Sequence, residues 1–207
     1  MAPFSYKTIE FEVQGLYKEK GSKFHSFAYP VETEEDVKLK LDSLRKKYFD
    51  ARHHCYAYRL GADGAKFRAN DDGEPNHSAG DPILGQLRSK ELTYTLIVVV
   101  RYFGGVKLGV GGLIAAYRIA AEEALNHAKI IQREVKSRLM LEFDYAATPD
   151  VMKLVNDFSM SIVSQNFQAR CAIELEYALR FKGEIERRIK ILSDRGIIFG
   201  VTNKADI

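Results

Sequence analysis

The chain has no tryptophan, and its 207 residues include only two cysteines and five prolines. Cys55 and Cys171 lie far apart and match no zinc-ligand or redox spacing. That excludes a small disulfide-stapled domain and points to reduced thiols in a cytoplasmic protein. Long apolar runs are also missing. The stretch Leu96-Ile97-Val98-Val99-Val100 is the longest and is far too short to cross a bilayer. The opening MAPFSYKTIEFE has no basic start followed by an apolar segment, so it does not read as a secretion signal. No membrane partner is expected. Net charge is only +3, so the distribution of cations, not their sum, must carry any argument for a polyanionic partner.

What is present is the make-up of a folded protein: 46% hydrophobic and 29% charged residues, with apolar positions in regular patterns. Ile9, Phe11 and Val13 alternate with Glu10 and Glu12, which predicts a half-buried strand. Lys18–Lys23 reads as a hairpin turn leading to a second strand, Phe24–Val31. Thr33 with Asp36 three residues on forms a partial capping box for a helix whose apolar face is Val37, Leu41, Leu44 and Tyr48. His53–Gly61 reads as a strand with His54, Tyr56, Tyr58 and Leu60 on one face and His53, Cys55, Ala57 and Arg59 on the other. A loop then runs to Pro75. Asp81 and Pro82 have the pattern of N-cap and first helical residue. Thr93–Phe103 is apolar on both faces, as in a central strand, and a helix with Leu113, Ala116, Tyr117, Ala120, Ala124 and Leu125 as its buried stripe follows a glycine-rich turn.

After Lys129 the pattern restarts. A strand through Leu139, Leu141 and Phe143 precedes a helix opened by Thr148-Pro149. Strands near Ser161–Phe167 and Ala169–Ala178 follow, then a helix through Ile185, Ile189 and Leu192 with Gly196 as its stop, then a strand over Ile197–Val201. The order β-α-β-β-α-β is the ferredoxin-like signature. The expected fold class is therefore α+β in two domains, 1–136 and 137–207.

Three groups of residues have the composition of a site. Gly104, Gly105, Gly109, Gly111 and Gly112 lie between a buried strand and a helix, where backbone N–H groups and the helix dipole can receive an anion. Arg101, Lys107 and Arg118 flank them. Neither a phosphate-loop ending nor a dinucleotide fingerprint is present, so tight turning and close packing explain the glycines equally well. A second group, Asp71, Asp72, Glu74, His77 and Asp81, offers carboxylates and an imidazole, but its spacing fits turns better than metal ligands. Third, His53 and Cys55 share a strand face and can be read as a metal or nucleophile–base pair, against the plainer alternative of one packed and one surface histidine. Ser78 reads as a turn residue. Pooled, the cations Arg52, Arg59, Lys66, Arg68, Arg101, Lys107 and Arg118 are interleaved with Tyr56, Tyr58, Phe67, Tyr102 and Tyr117, a mixture suited to phosphates and stacked bases. Arg101 and Lys107 are expected to be surface cations of one cleft, with Arg52 and Arg59 on a neighbouring strand, so that replacing the first pair leaves stability nearly unchanged.

Taken together, His53–Gly61 (HHCYAYRLG), Asp71–Leu87 (DDGEPNHSAGDPILGQL), Val98–Leu125 (VVVRYFGGVKLGVGGLIAAYRIAAEEAL) and Gly21–Val31 (GSKFHSFAYPV) closely resemble the Impact protein family, specifically its two-domain bacterial YigZ type. Where that family usually reads Gly-Glu-Pro-x-Gly-Thr-Ala-Gly, this chain has His77 and Ser78 in place of the second glycine and the threonine. The resemblance implies a first domain like the second domain of ribosomal protein S5 and a ferredoxin-like second domain similar to the C-terminal domains of elongation factor G. Eukaryotic members restrain the amino-acid-starvation kinase by competing for its activator. The expectation is a non-enzymatic, translation-linked regulator, without a cofactor or bound metal, that binds RNA, the ribosome or an associated factor. Its cleft would comprise Arg52, His53, Arg59, Arg68, Asp71, Asp72, Glu74, Arg101, Gly104, Gly105, Lys107, Gly109, Gly111, Gly112 and Arg118. Two alternatives stay open: an enzyme or small-anion binder using the glycine and acidic loops, and a protein–protein regulator using the second domain.

Overall fold

The computed structural model describes residues 3–168 and 170–204. In chain order the first part comprises β1 (Ser5–Ile9), β2 (Val13–Glu19), β3 (Ser22–Pro30), α1 (Glu34–Lys47), β4 (His53–Leu60), β5 (Lys66–Asn70), α2 (Gly80–Ser89), β6 (Thr95–Tyr102), α3 (Gly109–Asn126) and β7 (Ile130–Glu134). The remainder comprises β8 (Lys136–Phe143), α4 (Thr148–Asp157), β9 (Ser161–Phe167), β10 (Cys171–Ala178), α5 (Lys182–Asp194) and β11 (Ile198–Lys204). Two units result: Tyr6–Arg133, and Glu134 onward together with Pro3–Ser5. The fold is of the α+β class. Among the described residues no helix is long and apolar enough to cross a membrane.

The first unit is built on a sheet of order β2-β3-β6-β4-β5. All its neighbours are antiparallel. β6 lies at the centre and is buried from Thr95 to Arg101, because both faces of the sheet are covered. On one face Ile97 and Val99 join Cys55, Ala57 and Phe24 under α2 and α3. On the other Leu96, Val98 and Val100 join Phe27, Tyr56 and Tyr58 under α1. Thr33 and Asp36 form the reciprocal capping box that starts α1. The β2–β3 hairpin turns at Lys20 and Gly21, both with positive φ (45° and 79°), the backbone of a two-residue primed turn.

Three local expectations need correction. The alternation Ile9-Phe11-Val13 does not form one strand: β1 ends at Ile9, β2 begins at Val13, and Phe11 is exposed between them. The segment before Pro75 is not all loop. Lys66–Asn70 pairs with β4, Arg68 opposite Tyr58, as an edge strand whose exposed face hides its period. α2 begins at Gly80 with Ala79 as N-cap. Asp81 therefore lies inside the first turn, and the helix takes its cap from elsewhere.

In the second unit the strand order is β11-β8-β10-β9, antiparallel throughout. Leu139, Leu141 and Phe143 of β8 and Cys171, Ile173 and Leu175 of β10 point to one face, and α4 and α5 close it with Val151, Leu154, Ile185 and Ile189. α5 ends before Gly196, which has φ +72°, a conformation suited to glycine at a helix stop.

Candidate functional site

The acidic loop is consumed by its own backbone. Asp71 Oδ1 accepts from the amides of Ala79 and Gly80 at 2.9 and 2.8 Å, and Oδ2 from His77 N at 2.8 Å. This carboxylate, nine residues before the helix it serves, is the true cap of α2. Burial works against its charge, but the three donors outweigh it and hold its pKa below the usual value. Asp72 Oδ2 accepts from His54 N at 2.6 Å, and its carbonyl accepts from His53 Nδ1 at 2.8 Å. Ser78 donates to the Pro75 carbonyl at 2.6 Å and closes the turn. His77 Nδ1 lies 2.6 Å from Asp81 Oδ2 at the surface. Among the described residues no group of three His, Cys, Asp or Glu side chains is placed to hold a metal ion.

Beneath that loop lies a buried polar chain. Glu74 Oε1 accepts from Arg101 Nη1 at 2.5 Å and from the Tyr117 hydroxyl at 2.8 Å. Cys55 Sγ lies 3.3 Å from the Tyr117 oxygen and 3.0 Å from the Asp71 carbonyl, donating to both in a shared bond. Burial pushes the Cys55 thiol and the Tyr117 phenol well up, so neither ionises near neutrality. Cys55 is fully buried, and His53 directs Nδ1 at a carbonyl. These two residues therefore do not make a nucleophile–base pair.

Arg101 is the main correction to the surface-cation expectation. Its side chain is 8% exposed and that of Glu74 4%. The guanidinium lies 5.4 Å from the Phe24 ring centre and 5.7 Å from that of Phe103, and its buried Nε has no partner among the described residues. The sheet is antiparallel, so the rule that ligands gather at the carboxyl ends of parallel strands does not apply to it.

A pocket of about 420 Å³ opens against this arginine. Arg52, His53, Glu74, Arg101, Lys107 and Gly109 line it, with Pro75, Phe103, Leu108, Val110 and Leu113 as its apolar wall. The glycine turn makes it possible. Gly104 touches the β2–β3 hairpin so closely that a Cβ would fall 1.9 Å from the Gly21 carbonyl carbon. Gly105 and Gly109 have φ +87° and +72°, where side chains are strained. α3 starts at Gly109 with no side-chain cap on its N-terminus and no acidic residue in its first turn. An 18-residue helix thus presents uncapped N–H groups beside Arg52 and Lys107, both exposed.

Other expected members lie elsewhere. Arg59, at the far end of β4, donates to the Leu92 carbonyl at 3.0 Å. Arg68 is exposed on the edge strand and Arg118 is exposed on α3; neither lines the pocket. Gly111 and Gly112 belong to the first turn of α3 but not to the lining. The apolar wall was not anticipated; its signal in the sequence is the large apolar residues Phe103, Leu108 and Val110 set among the glycines.

Residues 20–125 match the family described as Impact N-terminal domain. YigZ of Escherichia coli is 33% identical over 152 residues, covering 72% of this chain and 74% of that one. The chain belongs to the IMPACT family. YvyE of Bacillus subtilis, another member, is 40% identical over 124 residues, and the match spans 60% of this chain but only 57% of the length of that relative. A crystal structure described as a hypothetical protein superposes with a TM-score of 0.72 and 27% identity, covering 98% of both chains. At His77, where the resemblance leads to the expectation of glycine, φ is +63°. That left-handed backbone suits glycine, and the His77 side chain is 81% exposed.

Proposed function

We propose that this protein is a non-enzymatic, translation-linked regulator of the cytoplasm that binds the phosphate backbone of RNA in the pocket at the start of α3. The observation that carries this reading is the uncapped α3 N-terminus set between Arg52 and Lys107. The helix end supplies oriented N–H groups, the two side chains supply charge, and neither cation is paired with a carboxylate among the described residues. The orphaned Nε of buried Arg101 adds an unsatisfied donor at the same wall. Family membership supports the link to translation. The antiparallel order β11-β8-β10-β9 supports a ferredoxin-like second domain over 137–207, with a first domain over 1–136 like the second domain of ribosomal protein S5. The acidic loop, committed to capping and turn formation, gives little support to an enzyme reading.

The test is RNA binding across a salt series. Each phosphate contact removed from a single strand lowers the slope of log affinity against log salt by roughly 0.7. Lys107→Ala and Arg52→Ala should each weaken binding and flatten the slope by about that amount. Lys38→Ala, an exposed lysine of α1, should do neither. Absence of RNA binding by the native protein at low salt, or identical slopes throughout, overturns the reading in favour of a protein partner.

A further inference from the structure

A second concavity lies on the other face of the sheet, at the same end of β6. Its volume is about 480 Å³, and it is lined by Gly21, Lys23, His25, Tyr48, Tyr102 and Phe103. Its walls are mostly flat rings. His25 stacks on Tyr48, with centres 5.8 Å apart and planes 29° apart, and meets Tyr102 edge-on at 5.9 Å. The Tyr102 hydroxyl donates to Asp50 at 2.6 Å and so fixes its ring. Lys23 stands at the rim, and Lys47 Nζ lies 5.3 Å from the Tyr48 ring centre. Rings already held in place cost little further entropy when something stacks on them.

Phe103 lines both concavities. It is 53% exposed, directly follows β6, and precedes Gly104, whose contact with Gly21 leaves no side chain between the two sides. Strand alternation explains the division: Arg101 faces the α3 side and Tyr102 the α1 side. A polymer with phosphate at α3 meets an aromatic surface with cationic edges as soon as it passes the strand end.

We infer that this aromatic pocket is a base-stacking subsite, and that the bound nucleic acid is single-stranded RNA crossing the end of β6, with a phosphate on the α3 side and an unpaired base on the α1 side. The inference rests on the phosphate-binding reading above and names its ligand class. Bases inside a duplex are already stacked and paired, so only an unpaired base can use these rings.

The test compares an oligouridylate of about ten nucleotides, the same sequence annealed to its complement, and inorganic tripolyphosphate as a probe without bases. His25→Ala, at a residue that lines the aromatic concavity and not the phosphate pocket, should weaken single-strand binding about tenfold, the effect of one lost stacking contact. The salt slope should stay unchanged, and so should tripolyphosphate binding. Phe103→Ala, which removes a wall shared by both concavities, should weaken single-strand binding at least as much. Lys107→Ala should weaken both ligands and flatten the slope. Equal binding of single and double strands, or equal loss of RNA and tripolyphosphate in His25→Ala, overturns the stacking subsite while leaving the phosphate site standing. A native protein that binds neither ligand overturns the phosphate site itself, and the stacking subsite with it.

Discussion

Two donors converge on one oxygen of Glu74, and the consequences of disturbing them are unequal. Arg101 and Glu74 are both almost out of water. Removing one partner leaves the other as an uncompensated buried charge, which costs roughly 3–5 kcal/mol, whereas replacing both by apolar groups of similar volume is often neutral. Arg101→Ala is therefore expected to lose about that much stability in urea unfolding. Arg101→Met combined with Glu74→Leu should recover most of it. Lys107→Ala, at the exposed rim, should stay within about 0.5 kcal/mol of the native protein. Equal losses in Arg101→Ala and Lys107→Ala would contradict the ion pair. The sequence made Arg101 and Lys107 look alike because each is a cation beside the glycines. What separates them is Glu74, 27 residues upstream of Arg101, whose position depends on the loop folding back under β6. Charge is legible in a sequence; whether it is already spent is a tertiary fact.

The same distinction decides which element boundaries could be read. The start of α1 was legible because its cap is local: Thr33 accepts from Asp36 N at 3.1 Å, and Asp36 accepts from Thr33 N at 2.9 Å. The start of α2 was misread because its cap comes from Asp71 across a turn, while the nearer Asp81 only looks like one. β5 was missed because an edge strand with exposed Lys66, Phe67 and Arg68 shows no buried alternation. The non-local cap has a pH signature. Burial raises the Asp71 pKa, but the amides of Gly80, His77 and Ala79 lower it more, so the folded value lies below the unfolded one. A depressed carboxylate stabilises the fold above its unfolded pKa and loses that contribution as pH falls through the folded value. Asp71→Ala should cost about 1–2 kcal/mol near neutral pH. Urea midpoints of the native and variant proteins should then draw together as the pH drops below about 4. A gap that stays constant down to acid pH would mean the capping carboxylate is not the source of the difference.

At the scale of the molecule, the second unit has a buried core of its own. Its buried cluster runs from Leu139 to Ile198 and includes Leu141, Phe143, Val151, Leu154, Ile173, Leu175 and Ile185, all within the unit. The sheet register is internal from Lys136↔Ala178 to Cys171↔Phe143. On the exposed face Arg138 reaches Glu176 with both Nε and Nη2, at 3.0 and 2.9 Å. Where the fragment should start follows from the hydrogen bonds. Leu179 N donates to the Val135 carbonyl at 2.8 Å, and Val135 N to the Phe4 carbonyl at 2.9 Å. A fragment spanning 134–207 keeps the first bond and loses the second, a cost of about 1 kcal/mol, and it also loses the pairing of β7 with its partner strand β1. One spanning 138–207 also loses the Val135 bond and the pairing of Lys136 with Ala178 and of Ser137 with Tyr177. We therefore expect 134–207 to unfold cooperatively and with dispersed amide resonances. Its stability should be only a few kcal/mol, since a core of this size rarely supplies more than about 3–5 kcal/mol. The shorter fragment should be less stable by about 1–3 kcal/mol, from the lost Val135 bond and the lost end of the β8–β10 ladder. The check is urea unfolding of both fragments beside the full chain. A longer fragment without a cooperative transition would mean that this core, complete in its contacts, is still too small to offset its own chain entropy.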